Sequence, residues 1–146
     1  MRAVGITHPY TGPMHISPTQ EAIAAFIARD IPGPLKMLNL LRFRDTADYS
    51  EYPDLAPDGS LTGEEAYDLY GAAVLPLLDS FGAKPILMGT GGSLLIGPED
   101  AQWDRVLVVE YPSVAKFLEF IQSPDYQAVS GHRTAALADS RLLPIE

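Results

Sequence analysis

There is no cysteine anywhere in this chain of 146 residues. That excludes disulfides, thiolate nucleophiles and cysteine-based metal sites. Positive charge is scarce: 10 Lys and Arg stand against 19 Asp and Glu, a net charge of −9. Such a surface repels phosphate backbones, so no nucleic-acid partner is expected. No apolar run approaches the ~20 residues that a bilayer-spanning helix needs, so no membrane partner is expected either. The opening residues MRAVGITHPYTGPMH hold one early arginine and no continuous apolar stretch. They do not read as a signal peptide, and a cytoplasmic protein is the expectation. His8 and His15 lie in an irregular arm without a third ligand, so neither a metal nor a cofactor is expected. Gly89-Thr90-Gly91-Gly92 lacks the lysine of a phosphate-binding loop, and no Gly-x-Ser-x-Gly elbow occurs.

What is present is apolar periodicity with clear punctuation. Residues 1–17 read as an irregular arm. Ser17-Pro18 predicts a helix start, with Glu21 in the first turn and Ala22, Ile23, Phe26 and Ile27 at helical spacing. The run Asp30-Ile31-Pro32-Gly33-Pro34 ends that helix near residue 29. Residues 35–43 form a strand so continuously apolar that both of its faces should be covered. A long loop over 44–61 follows. Thr62 and Glu65 spell a capping box. Ala66, Tyr70, Ala73, Val74, Leu77 and Phe81 then share one helix face, with Pro76 inside and Gly82 as the end cap. Residues 84–90 and 93–96 read as strands around a Gly91-Gly92 hairpin turn. Residues 103–111 form a second doubly apolar strand. Val114, Phe117, Leu118 and Ile121 mark a helix, Ser123-Pro124 starts another that runs to about Ala138, and 141–145 is a short last strand.

From residue 35 the order is β-α-β-β-α-helix-β, the split β-α-β arrangement of an α+β, ferredoxin-like sandwich. Residues 35–146 make that domain, and residues 1–34 are an arm and helix packed on it. Helices cover one face of such a sheet, yet two strands look apolar on both. A second copy of the chain is the simplest cover, giving a homodimer through the sheet face. The helix at 18–29 is the rival cover.

Met37 to Arg44, Trp103-Asp104-Arg105-Val106 leading into Glu110-Tyr111-Pro112-Ser113, Ser123-Pro124-Asp125-Tyr126-Gln127, His132-Arg133 and Ala135 to Leu142 carry a likeness. Over residues 35–145 the sequence resembles the domain-of-unknown-function family numbered 1330, a branch of the dimeric α/β-barrel superfamily. The resemblance implies a ferredoxin-like fold and a barrel made by two chains, and names no reaction. The wider superfamily holds cofactor-free monooxygenases, haem-handling enzymes, isomerases and plain ligand binders.

Asn39 is a lone amide in an apolar strand. It either points into a pocket or is satisfied by backbone or water. His132 can act as base or acid and Arg133 can hold a carboxylate. The plainer alternatives are a surface histidine, and an arginine paired with Asp104 or Asp125. These three are the catalytic candidates. Tyr67, Tyr70, Tyr126, Arg42, Trp103 and Glu110 are the ligand-binding candidates, each with a packing or solvent-facing alternative. Arg42 and Arg44 share a strand face and would make an anion clamp if it opened on a pocket. Three readings follow. The first is cofactor-free proton or oxygen chemistry on a small organic substrate in a pocket. The second is a non-catalytic ligand-binding or stress-associated dimer. The third is haem handling through Asn39, Trp103 and His132.

Overall fold

The computed structural model describes residues 14–146. The predicted arm over 1–17, and His8 with it, therefore lies mostly outside the described residues. The elements are α1 (Gln20–Ala28), β1 (Leu35–Phe43), α2 (Gly63–Ser80), β2 (Lys84–Ser93), β3 (Gln102–Tyr111), α3 (Val114–Gln122), α4 (Pro124–Ala136) and β4 (Leu137–Ile145), with a 3-10 turn at Pro53–Leu55 inside the long loop. The four strands lie in the order β2-β3-β1-β4, every neighbouring pair antiparallel. This is the ferredoxin-like fold that the element order predicts.

Local chemistry sets most boundaries. The Thr62 hydroxyl accepts the Glu65 N–H at 3.0 Å, and the Glu65 carboxylate accepts the Thr62 N–H at 2.8 Å. That reciprocal pair opens α2, which continues through Pro76. Gly82, at φ +73°, takes the left-handed turn that ends it.

Four boundaries differ from expectation. α1 starts at Gln20, because the Thr19 hydroxyl takes the Ala22 N–H at 3.0 Å. Gly91 and Gly92 make no turn: β2 runs through them to Ser93, and the hairpin turn lies between residues 93 and 102. Gly91 is needed there because a Cβ would collide with the Trp103 carbonyl. α4 stops at Ala136, and β4 begins at once with Leu137. The short turn between them is sealed when the Ala136 carbonyl accepts the Arg44 N–H at 2.8 Å.

On β1, Leu35, Met37 and Leu41 are buried against the helices, whereas Leu38 and Leu40 are half-buried on the other face. Val106 and Val108 of β3 oppose Leu40 and Leu38 and are half-buried too. Two doubly covered strands were expected, but within one chain the second face stays open. α1 does not cover it. Phe26 packs edge-on against Phe117 of α3 at 5.8 Å, on the helix side. Arg29 reaches the Pro144 carbonyl and pairs with Glu146 at the sheet's rim.

The core is split in two. One cluster gathers Leu35, Met37, Val74, Leu78, Val109, Tyr111, Phe117 and Phe120. The other gathers Leu41, Ala66, Tyr67, Ala136 and Leu137. Tyr70 and Leu107 touch both.

Candidate functional site

The gap between the clusters coincides with one transverse row of the sheet. Asn39 opposes Leu107 on β3 and Leu142 on β4, and Leu107 opposes Met88 on β2. Strand alternation puts this row on the helix side, with Met37 and Leu41. Those two are 2% and 0% exposed. Asn39 and Leu107 between them are only half-buried, and Met88 and Leu142 at the ends are 61% and 45% exposed. The row therefore stays partly accessible between two sealed rows, with Leu107 packed on both clusters.

Helices α2 and α4 furnish its polar groups. Tyr67 and Tyr70 come from α2, with ring centroids 5.2 Å apart. On α4, Tyr126, Val129, Arg133 and Ala136 follow helical spacing along the inner face. The Tyr70 and Tyr126 hydroxyls lie 3.1 Å apart. Arg133 donates to the Ile16 carbonyl at 2.7 Å and approaches the Ser140 hydroxyl at 3.5 Å. Its charge partly offsets the effect of burial on Tyr67, Tyr70 and Tyr111. Burial pushes the Tyr67 phenol up to about 12, and pushes Tyr70 and Tyr111 upward as well. At neutral pH these tyrosines are protonated donors, not bases.

Asn39 donates to the Met37 carbonyl at 3.2 Å and the Leu107 carbonyl at 3.5 Å. Backbone thus satisfies the amide hydrogens, while the side-chain oxygen accepts no hydrogen bond among the described residues. His132 parts company with Arg133. Consecutive helical residues diverge by about 100°, and His132 turns toward the loop, where its Nδ1 lies 2.7 Å from the Tyr49 hydroxyl. Burial lowers the His132 pKa, so the imidazole is neutral at pH 7. It also raises that of Tyr49. Tyr49 packs on the second cluster, which includes Tyr67. Sequence reasoning missed Tyr49, since an aromatic in an aperiodic loop carries no pattern that could flag it.

The remaining candidates sit elsewhere. Glu110 pairs with Lys36 at 3.7 Å on the open sheet face. Arg42 and Arg141 stack on Trp103, at 5.3 and 5.1 Å from its ring centre. The fully buried Asp139 anchors this group. Its Oδ1 accepts the His15 N–H at 2.7 Å, the Ser140 N–H at 2.9 Å and the Arg141 Nη1 at 2.7 Å. A register shift lies between Arg42 and Phe43, and the Arg42 Nε donates to the Gln102 carbonyl at 2.9 Å. Arg44 instead lines an open cleft of about 430 Å³ with Phe43, Asp45, Thr62, Glu64, Thr90, Asp104 and Arg105. Arg133 pairs with neither Asp104 nor Asp125, and the Asp104 carboxylate accepts the Phe43 N–H at 2.8 Å. Asn39, Trp103 and His132, the haem candidates, engage three different sets of neighbours. Among the described residues no cluster of three or more acidic or histidine side chains is placed to hold a metal ion. Among them, too, no helix is long and apolar enough to cross a membrane.

Residues 58–145 match the domain of unknown function DUF1330. The chain belongs to the DUF1330 family. The match covers α2 and α4 and leaves out β1, and Asn39 with it. The crystal structure of RPA0582, a protein of unknown function from Rhodopseudomonas palustris, is similar over 91% of this chain and 96% of its own, at 44% identity and a TM-score of 0.80. Its methylated form matches at 43% identity, over 91% of this chain and 94% of its own, with a TM-score of 0.81. A hydroxynitrile lyase from Passiflora edulis shares the fold, at 18% identity and a TM-score of 0.50, over 79% of this chain and 94% of its own. No curated protein matches significantly.

Proposed function

We propose that this DUF1330 protein binds a small organic molecule in the groove along Asn39 and Leu107 and moves a proton on it. The split core supports a binding groove: a mid-sheet row left accessible, with phenols and a guanidinium above it. The single observation that carries the chemistry is the 2.7 Å contact between Tyr49 and the neutral His132. In the tautomer whose Nδ1–H donates to the phenol, Nε2 keeps its lone pair and serves as a general base near neutral pH. Tyr67 and Tyr70, which burial keeps protonated, donate to the substrate's developing negative charge. A hydroxynitrile lyase on the same fold is compatible with proton chemistry on such a scaffold and does not assign it here.

The test is exchange of substrate C–H hydrogens in deuterated buffer, followed by NMR, over a panel of small aldehydes, ketones and esters. Exchange on one class, falling ~10²–10⁴-fold in His132→Gln and also reduced in Tyr49→Phe, supports the reading. Exchange that both variants leave unchanged removes the dyad from the mechanism. The raised phenol pKa values favour a second reading, in which the groove only holds its ligand. Binding without exchange on any panel member selects it.

We further propose that the working unit is a homodimer joined through the open sheet face. Leu38, Leu40, Val106 and Val108 make a continuous apolar strip there, with Leu87 and Leu143 flanking it at 51% and 53% exposure. Pairing two such strips removes them from water at ~25 cal/mol per Å².

A further inference from the structure

Arg133 is a half-buried cation with no counter-ion. Its two hydrogen bonds go to neutral oxygens, the Ile16 carbonyl and the Ser140 hydroxyl. Among the described residues no carboxylate lies within pairing distance of it, and residues 1–13 contain neither Asp nor Glu. Other arginines differ: Arg29 pairs with Glu146, Arg105 with Glu64 and Asp68, and Arg141 with Asp139. In a chain with 19 acidic residues, leaving a half-buried arginine without a carboxylate is a departure that burial makes costly. Helix α2, which packs against the α4 of Arg133, brings Tyr67 and Tyr70, and the Tyr70 hydroxyl lies 3.1 Å from that of Tyr126 on α4. The Arg133 charge acts on the Tyr67, Tyr70 and Tyr111 phenols. The guanidinium is already oriented by Ile16 and Ser140, and it keeps three further N–H donors.

We infer that the ligand of this groove is a small organic acid whose carboxylate completes an ion pair with Arg133 and whose flat apolar body lies between Leu107 and the tyrosine rings. This rests on the groove reading above and specifies its substrate class. A guanidinium takes a carboxylate through two parallel hydrogen bonds, and phenol hydroxyls add donors to the same oxygens. Aromatic walls favour an aryl or unsaturated acid over a short aliphatic one. Asn39, whose side-chain oxygen accepts no hydrogen bond among the described residues, is placed to meet a hydroxyl or amide donor on the ligand's body.

Titration of the full chain with benzoate, cinnamate and acetate, against benzamide and cinnamamide as uncharged counterparts, tests this by calorimetry and by NMR of the tyrosine rings. Benzoate or cinnamate should bind at least ~10-fold tighter than its amide and shift the Tyr67, Tyr70 and Tyr126 signals. Arg133→Gln should abolish the preference, and Arg133→Lys should retain part of it. Equal binding of acid and amide overturns the inference, as does the absence of any acid binding to ~10 mM. So does a preference that survives in Arg133→Gln. If Arg133→Gln does not fold, the comparison on the wild-type chain and on Arg133→Lys decides. Acid binding without proton exchange would remove the catalytic reading and leave this inference standing. Exchange on neutral carbonyl compounds without acid preference would do the reverse.

Discussion

Tyr49 and His132 lie 83 residues apart in sequence, yet their hydroxyl and Nδ1 stand 2.7 Å apart, with the two rings nearly perpendicular at 83°. This contact ties the long loop to α4. Two neighbouring backbone bonds fix the loop independently: the Ala135 carbonyl accepts the Asp48 N–H at 2.9 Å, and the Leu61 carbonyl accepts the Ala47 N–H at 2.9 Å. Removing the phenol hydroxyl should therefore leave the loop in place. Tyr49→Phe is expected to lose ~1 kcal/mol of stability with little change in circular dichroism. Urea denaturation measures it.

Burial lowers the His132 pKa below its ordinary 6.5. Below pH 6.5 the unfolded chain therefore takes up a proton that the folded one still refuses, so the native state loses stability as pH falls from 6.5 to the folded value, and this contribution is fully present above 6.5. The melting temperature of the wild type should drop through that window more than that of His132→Gln. An NMR titration of the imidazole should show a midpoint below 6.5. A midpoint above it would contradict the burial seen here.

The buried phenols act at the other end of the scale. Their folded pKa values stand above the unfolded 10, so folding protects the protonated form, and stability is lost as pH rises from 10. For Tyr67 the window extends to about 12. Ultraviolet titration of the native protein should show the phenolate signal of these three tyrosines delayed to the alkaline unfolding step. Ordinary ionisation of every tyrosine near pH 10 would show that the interior is wetter than the structure has it.

Two glycines should respond in opposite directions to alanine. A Cβ on Gly131 would meet Leu55 Cδ1 and Tyr52 Cγ at 2.6 Å, so Gly131→Ala should cost ~1–3 kcal/mol by pushing the loop off α4. A Cβ on Gly71 in α2 meets nothing within 4 Å, and Gly71→Ala should stabilise by up to ~1 kcal/mol. Chemical denaturation of both variants gives the sign of each.

The open sheet face predicts the oligomeric state. Light scattering after gel filtration should give twice 15.8 kDa at micromolar concentration. Leu38→Glu and Val108→Lys, placed opposite one another on that face, should each shift the protein toward monomer. A wild-type mass near 15.8 kDa would sink the dimer.

Amino-acid order alone determined the fold class. The capping box at Thr62, the two apolar strands and the Ser123-Pro124 start are local signals whose physics acts within one turn or one strand, and they sum to the β-α-β-β-α-β order. Boundaries failed where local chemistry was ambiguous. Gly91-Gly92 suits a turn, but the near approach of the Trp103 carbonyl, a non-local contact, makes the glycine necessary inside a strand. The site was legible only in part. Arg133, Asn39 and the tyrosines stood out as polar or aromatic residues on apolar elements, but their joint placement depends on strand register and on the packing of α2 against α4. Tyr49 had no local signal at all, and the pairing of Glu110 with Lys36 depended on strand register. Only the tertiary structure divided the core into two clusters and left the Asn39–Leu107 row partly accessible between them, because which row of a sheet stays uncovered is set by where helices pack and not by the residues of any one strand.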